Sequence, residues 1–134
     1  MSKWDPIFIS YSSRDAGLAA VIAGELEKSG VSLIDPIKTL STNDSWRDAI
    51  RAAMERSKAL LLIVGSPDAA SAGWQMYETG MFEAAGKPVI VLAPNTYALA
   101  DLPIELRDTS VRMFDPRKPE LVVRSVASEI LAAA

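Results

Sequence analysis

The sequence contains neither cysteine nor histidine among its 134 residues. The absence of cysteine excludes disulfides, thiolate nucleophiles and CxxC redox motifs, and the absence of both residue types excludes zinc fingers. Without histidine, the chain cannot build a catalytic triad that uses an imidazole as its base. Any catalysis must therefore depend on carboxylates, hydroxyls, lysine or arginine, with or without a borrowed cofactor.

Long apolar segments are absent as well. The first residues, Met1 to Pro6, do not contain the apolar core of a signal peptide, and no apolar run reaches the roughly 18 residues needed to cross a bilayer. We therefore expect a cytoplasmic protein that does not contact a membrane. The net charge of −3 argues against nucleic-acid binding through bulk positive charge.

The length fits one domain, residues 1–134. Hydrophobic residues make up 49% and charged residues 23% of the chain, which is typical of a globular domain with its own core. The alanine-rich end, Ala132 to Ala134, fits either a natural terminus or a cut within a longer protein that continues into a sensor or partner domain.

Five short apolar runs alternate with amphipathic stretches. The third and fourth runs are nearly continuous in Leu, Ile and Val, which is typical of strands buried on both faces. The alternation predicts an α/β fold, a flavodoxin-like open five-stranded parallel sheet of order 2-1-3-4-5 with helices on both faces. The predicted strands are Ile7–Tyr11, Val31–Ile34, Leu60–Val64, Val89–Leu92 and Val111–Phe114.

Helical spacing predicts four helices between and after these strands. The polar stretch Pro36–Asp44 is longer than the usual βα loop of about 2–6 residues, and loops of that length often act as lids or interaction surfaces. Tyr97–Asp101 fits a short helix or an irregular loop. The predicted helices run through Leu18 to Leu26 with an end at Ser29-Gly30, from the capping-box pattern Ser45-Trp46-Arg47-Asp48, from Gly73 to Ala85, and from Pro119 onwards.

Polar residues follow the predicted strands at the edge where ligands bind in open α/β sheets, outside the carboxyl ends of the strands. Tyr11, Ser12 and Ser13 follow the first strand and lead into a helix N-terminus, whose N–H groups favour phosphate or carboxylate. Asp35 follows the second strand. The competing interpretation is that Ser13 and Asp15 simply cap the helix.

The third predicted helix carries a glutamate on its apolar face. Glu78 falls in the middle of this face, whereas Glu83 falls on the opposite side. A carboxylate among apolar residues is costly unless it is paired or lines a cleft, which makes Glu78 a functional candidate. Steps of about 100° per residue place on this face Trp74, Tyr77, Met81, Phe82 and Ala85.

A second interpretation of Glu78 stays open on the residue pattern alone. A glutamate near a helix start can extend to the edge of the core, or it can pair with an arginine such as Arg14 or Arg47. The pattern identifies one unusual residue and does not identify its chemistry.

Taken together, these motifs resemble the Toll/interleukin-1 receptor (TIR) domain, and the resemblance covers nearly the whole chain. Trp74-Gln75-Met76-Tyr77-Glu78 resembles the WxxxE pattern of enzymatic and bacterial members. Thr39–Asn43 departs from many relatives because it lacks their glycine turn. The other similar segments are Ile7–Asp15, Leu33–Asp35, Ser57–Ser66 and Gly86–Val91.

The resemblance implies cleavage of NAD at the nicotinamide–ribose bond, which yields nicotinamide and ADP-ribose or a cyclic isomer. It implies that Glu78 is the catalytic residue and that Trp74 contributes to the substrate pocket. NAD is then a substrate, and no metal or resident cofactor is needed. The resemblance also implies TIR–TIR self-association that completes the active sites, and a role in bacterial antiphage defence signalling. Tyr11, Ser12, Ser13 and Asp35 become candidates for contacts to ribose and phosphate.

Three other functions compete with this interpretation. A non-enzymatic TIR adaptor would share the same fold, but it would not require a carboxylate at Glu78. A phosphoreceiver domain needs an aspartate at the end of the third strand, where this chain has Val64-Gly65-Ser66. A flavodoxin-like FMN binder needs a phosphate loop rich in Ser and Thr, for which Tyr11-Ser12-Ser13-Arg14 is a thin match.

Overall fold

The structure is a computed structural model, and it describes residues 4–35, 46–65, 69–96 and 110–133, with the backbone alone described at residues 46, 47 and 69–74. Five strands form one sheet in the order β2-β1-β3-β4-β5, and each neighbouring pair is parallel. The predicted topology is therefore confirmed. The strands are β1 (Ile7–Ser10), β2 (Leu33–Ile34), β3 (Ala59–Ile63), β4 (Val89–Pro94) and β5 (Ser110–Phe114).

The described residues also form four α-helices and a short 3-10 helix at Ser13–Asp15. The predicted end of the first helix is confirmed, because Gly30 follows it with a φ of 94°, a left-handed conformation that favours glycine. The third helix begins at Ala69, four residues before the predicted Gly73. The α-helices are α1 (Ala16–Lys28), α2 (Trp46–Arg56), α3 (Ala69–Ala84) and α4 (Pro119–Ala132).

The sheet separates two layers of core. Every residue of β3 and β4 is buried, as their continuous apolar sequences predict. Side chains alternate between the faces of a strand, so Ile7 and Ile9 of β1 join the layer formed with α1 and α4. Phe8 joins the opposite layer, which includes residues of α2 and α3. The helices therefore cover both faces of the sheet, as predicted.

The apolar face predicted for α3 is partly wrong. Tyr77 is 46% exposed and Met81 is 38% exposed, and Ala85 is exposed as well. The helix is rotated relative to the predicted face. Within residues 75–84, the part of α3 whose side chains are described, it buries four residues at positions i, i+3, i+4 and i+7, of which only the last is apolar. These residues are Gln75, Glu78, Thr79 and Phe82.

Several predictions fall outside the described residues. They concern the loop Pro36–Asp44 with its segment Thr39–Asn43, the cap residue Ser45, and Tyr97–Asp101. None of the helices in the described ranges combines the length and the apolarity that a bilayer span requires.

Candidate functional site

The candidate site lies at the carboxyl end of β1, on the face of the sheet that α3 covers. Phe8 and Ser10 project to the same face because they are two residues apart in a strand. Glu78 and Phe82 share one side of α3 because they are four residues apart in a helix. Phe8 and Phe82 pack with their ring centroids 5.8 Å apart. One layer further towards the carboxyl ends of the strands, Ser10 therefore meets Glu78.

Glu78 is fully buried, with a relative exposure of 0%, and Ser10 is 5% exposed. The Ser10 hydroxyl donates a hydrogen bond of 2.5 Å to Glu78 Oε1. A buried carboxylate needs such donors, because the charged oxygens lose their hydration. The interpretation in which Glu78 extends to the edge of the core is therefore wrong. Arg14, one of its two suggested partners, is exposed, and the side chain of the other, Arg47, lies outside the described ones.

The middle of α3 is also tied to the sheet by a polar contact. The buried Gln75 side chain donates to the carbonyl oxygen of Ile63, the last residue of β3, at 3.3 Å. The Thr79 hydroxyl donates to the Gln75 carbonyl at 2.8 Å and so satisfies a buried polar group within the helix. Gln75 lies one turn before Glu78, so its hydrogen bond to β3 fixes the position of Glu78 relative to the carboxyl ends of the strands.

A second buried carboxylate joins the loops that follow β1 and β3. Asp15 is 7% exposed. Its Oδ2 accepts from the Ser12 hydroxyl at 3.3 Å and from the backbone N–H of Gly65 at 3.2 Å. Asp15 stands at the N-cap position of α1, yet its side chain makes no capping hydrogen bond there. The interpretation of Asp15 as a simple helix cap is therefore wrong, because its carboxylate connects two loops.

The junction has no room for a side chain at position 65, so glycine is required there. A Cβ at residue 65 would lie 2.6 Å from Asp15 Oδ1 and 2.7 Å from Asp15 Cγ. Glycine therefore allows the carboxylate to approach the backbone N–H. We name Ser12, Asp15 and Gly65 the rim latch, because it joins two of the loops at the ligand-binding edge.

A third contact joins the loops that follow β1 and β2. The Tyr11 hydroxyl donates to Asp35 Oδ2 at 2.9 Å. Burial of the phenol, then this hydrogen bond and the charge of Asp35, raise the pKa of Tyr11 to about 12, since each of them favours the neutral phenol. Tyr11 is therefore a neutral donor at physiological pH.

The predicted site residues are distributed over these contacts. Tyr11 and Asp35 form one pair, Ser12 belongs to the rim latch, and Ser13 is exposed at the start of the 3-10 helix. The side chain of Trp74 lies outside the described ones. No group of three or more acidic residues in the described ranges is arranged to hold a metal ion.

Ser10, Gln75 and Gly65 were absent from the predicted site. Ser10 had a usable signal, because it is the single polar residue in the strand Ile7–Ser10, all of which is buried. Gly65 follows the third predicted strand and so falls at the ligand-binding edge. Its contact with Asp15, like the contact of Gln75 with β3, could not be predicted, because it depends on how α3 and the loops are placed over the sheet.

Comparison with known proteins shows which family this chain is similar to. A family model described as TIR domain matches residues 7–120, and no curated protein matches the chain. Among solved structures, the chain is similar to a metazoan TIR-STING receptor from C. gigas in complex with 2',3'-cGAMP, with a TM-score of 0.67 and 20% identity. That match covers 90% of this chain and 39% of the receptor, so the chain spans well under half of that protein's length.

Two further solved structures share the fold over most of both chains. A 2-deoxyribosyltransferase from Bacillus psychrosaccharolyticus has a TM-score of 0.65 at 14% identity, over 90% of this chain and 89% of its own. A conserved protein from Enterococcus faecalis V583 has a TM-score of 0.54 at 16% identity, over 92% and 86%. At such identities the likeness concerns the fold.

Proposed function

The chain belongs to the TIR domain family, and from this premise we propose that it cleaves NAD at the nicotinamide–ribose bond, with Glu78 as the catalytic carboxylate. The products are nicotinamide and ADP-ribose or a cyclic ADP-ribose isomer. The observation that carries the proposal is the fully buried Glu78 at the carboxyl end of β1, held by the Ser10 hydroxyl. A buried charge is expensive for a structure to keep, and such groups concentrate at functional sites.

The location supports a binding site. The strand order reverses between β1 and β3, because β2 lies on one side of β1 and β4 lies beyond β3. Ligands of open α/β sheets bind at such a switch point, outside the carboxyl ends of the strands. The Ser10–Glu78 pair, the rim latch and the Tyr11–Asp35 pair all stand at this edge.

The chemistry needs little more than one carboxylate. The bond between ribose and nicotinamide breaks with its electron pair moving to the pyridinium nitrogen, so nicotinamide leaves as a neutral molecule. The ribose develops the character of an oxocarbenium ion, which a nearby negative charge stabilises. We assign this role to Glu78, together with a hydrogen bond to a ribose hydroxyl. Water or a second nucleophile on the substrate then attacks the sugar carbon.

The remaining predicted residues complete the proposed pocket. Trp74 supplies a flat apolar surface beside Glu78. Tyr11, Ser12, Ser13 and Asp35 contact ribose and phosphate oxygens. NAD is the substrate in this proposal, and the reaction uses no metal or resident cofactor.

The structural relatives are compatible with this chemistry. By its name, the 2-deoxyribosyltransferase from Bacillus psychrosaccharolyticus transfers a deoxyribosyl group, which requires breaking a bond to the anomeric carbon of a sugar. The same arrangement of strands and helices thus carries glycosyl transfer in a protein that this chain covers to 89%. The TIR-STING receptor is described with a bound cyclic dinucleotide.

The proposed cellular setting follows the family. We place the domain in the cytoplasm, in bacterial antiphage defence, with activity that depends on TIR–TIR self-association. We also propose that the domain acts within a longer protein, next to a sensor or partner domain.

The test is an assay of nicotinamide release from NAD, with chromatography as the detection method. The reaction is run at high protein concentration with a crowding agent, which promotes self-association. Glu78→Gln retains the shape of the side chain and an oxygen acceptor for Ser10, and it removes the charge. We expect it to lower turnover by about 100-fold or more. Glu83→Gln is the matched control, because Glu83 is exposed in the same helix. Undiminished turnover in Glu78→Gln would refute the assignment.

A second candidate function is a non-enzymatic adaptor that acts through TIR–TIR contacts alone. Tyr77 and Met81, one turn apart on α3, are exposed and offer apolar surface to such a contact. A domain that assembles at these concentrations while NAD stays intact would support the adaptor over the enzyme.

A further inference from the structure

We propose that Ser10 is a positioning residue that holds the Glu78 carboxylate in its orientation and in its ionised form. The inference rests on the proposed function, in which Glu78 is the catalytic group. It concerns a residue of β1 that is separated by 68 positions from the glutamate it contacts.

Ser10 is suited to positioning because its backbone is fixed in the sheet by pairing with β3. It is the last residue of β1, a strand that pairs with β3 along its whole length, whereas β2 pairs with its first two residues. Its partner in β3 is Leu62, which is itself fully buried. A glutamate side chain has three torsion angles, whereas a serine hydroxyl has one carbon between it and the backbone. The hydroxyl is therefore the fixed end of the pair.

The direction of the hydrogen bond decides its electrostatic effect. Ser10 Oγ lies 2.5 Å from Glu78 Oε1, and an ionised carboxylate only accepts hydrogen bonds. A donor to the charged form favours ionisation, whereas burial opposes it. Because Glu78 is fully buried, the hydroxyl offsets part of that penalty. It also fixes the position of Oε1, which orients the carboxylate for its proposed contact with the ribose.

The ionisable groups near Glu78 lie on the elements that surround it. The strands beneath it, β1 and β3, contain no titratable side chain. In α3 itself, Tyr77 and Glu83 are exposed. The groups of the described rim loops are Tyr11, Arg14, Asp15 and Asp35, and α2, which packs on the same face, presents to solvent Asp48, Arg51, Glu55 and Arg56.

The test compares Ser10→Ala with the wild type in NAD turnover as a function of pH. We expect kcat to fall by about 10- to 100-fold, the range for loss of one hydrogen bond to a charged group, with a smaller change in KM. The acidic limb of the kcat/KM profile moves to higher pH, because more of the carboxyl is protonated at a given pH. Ser10→Thr keeps a hydroxyl and restores both.

Ser57→Ala is the matched control. Ser57 is also a fully buried serine, and its hydroxyl donates at 2.7 Å to the Ala53 carbonyl, at the opposite end of the sheet. Its loss has a structural cost similar to that of Ser10→Ala. The pH profile of Ser57→Ala stays at its wild-type position if Ser10 acts through Glu78.

A readout independent of activity separates this inference from the proposed function. The Glu78 carboxyl is titrated by NMR in protein labelled with carbon-13 glutamate, and its signal is assigned by its loss in Glu78→Gln. A higher pKa of Glu78 in Ser10→Ala, with no change in Ser57→Ala, supports positioning even if the wild type leaves NAD intact. An unchanged pKa, or a pH profile that moves equally in both variants, overturns it.

Discussion

Gly65→Ala adds one methyl group where the rim latch has no room for it. The new Cβ would lie 2.6 Å from Asp15 Oδ1, 2.7 Å from Cγ and 3.0 Å from Oδ2. Such contacts are too short for a carbon atom, so the Asp15 side chain must move. The movement lengthens or breaks the hydrogen bond of 3.2 Å from Gly65 N–H to Asp15 Oδ2.

The expected cost follows from what Asp15 loses. A hydrogen bond to a charged group contributes about 1.5–3 kcal/mol, and Asp15 is only 7% exposed, so water replaces the lost donor poorly. We expect Gly65→Ala to lower the free energy of unfolding by about 2–3 kcal/mol. For a domain of this size, that loss corresponds to a decrease in Tm of roughly 6–12 °C.

The assay is urea unfolding followed by circular dichroism, with the slope m unchanged if both states keep their compactness. Gly80→Ala is the matched control, because a Cβ there meets nothing within 4 Å and the residue is exposed in α3. It is expected to stabilise the protein by about 0.5–1 kcal/mol, since alanine favours a helix over glycine.

A double-mutant cycle tests the cause of the loss. In an Asp15→Ala background the carboxylate is absent, so Gly65→Ala should cost less than about 0.5 kcal/mol. If Gly65→Ala costs the same with and without the Asp15 carboxylate, or costs nothing in the wild type, the steric and electrostatic account of the rim latch is wrong.

Two further predictions concern other contacts of the fold. Lys87→Met should lower the free energy of unfolding by about 1–2 kcal/mol. The Lys87 ammonium donates hydrogen bonds of 3.1 and 3.0 Å to carbonyls in the last turn of α2, and it lies 5.5 Å from the Phe82 ring centroid. Lys28→Met is its control, with a surface pair of 3.5 Å and an expected effect below about 0.5 kcal/mol; equal losses in both variants would contradict the account. Tyr11 should ionise near pH 12 in an ultraviolet absorbance titration. Because its pKa in the folded state is raised above the unfolded value, its contribution to stability is present below pH 10 and should be lost as the pH rises towards 12. Asp35→Asn should lower that pKa without returning it to 10.0, since burial is the largest cause of the shift; a Tyr11 that titrates at its ordinary pKa in the wild type would contradict both statements.

Much of the fold could be predicted from local sequence. The runs Leu60–Val64 and Val89–Leu92 are apolar because strands at the centre of a parallel sheet are covered on both faces, and every residue of both runs is buried. The alternation of strands and helices restricts the topology, because crossovers between parallel strands have one hand. The end of α1 was readable at Ser29-Gly30, because a left-handed residue favours glycine.

The face that α3 presents to the core was not readable in the same way. A period of about 100° per residue predicts which residues share a side, but polar residues are placed by the partners that they find. Gln75 and Thr79 are buried because backbone carbonyls accept their hydrogen bonds, whereas the apolar Tyr77 and Met81 remain exposed. No local pattern carries that information.

The candidate site was likewise predictable from the sequence only in part. The sequence by itself determined that Glu78 is an unusual charge within a largely apolar helix, because periodicity is a local property. Only the tertiary structure decided that Ser10, 68 positions away, is the donor to its carboxylate, and that Asp15 joins Gly65 across 50 positions. These contacts form where parallel strands end side by side, and that proximity is created by the pairing of strands distant in the chain.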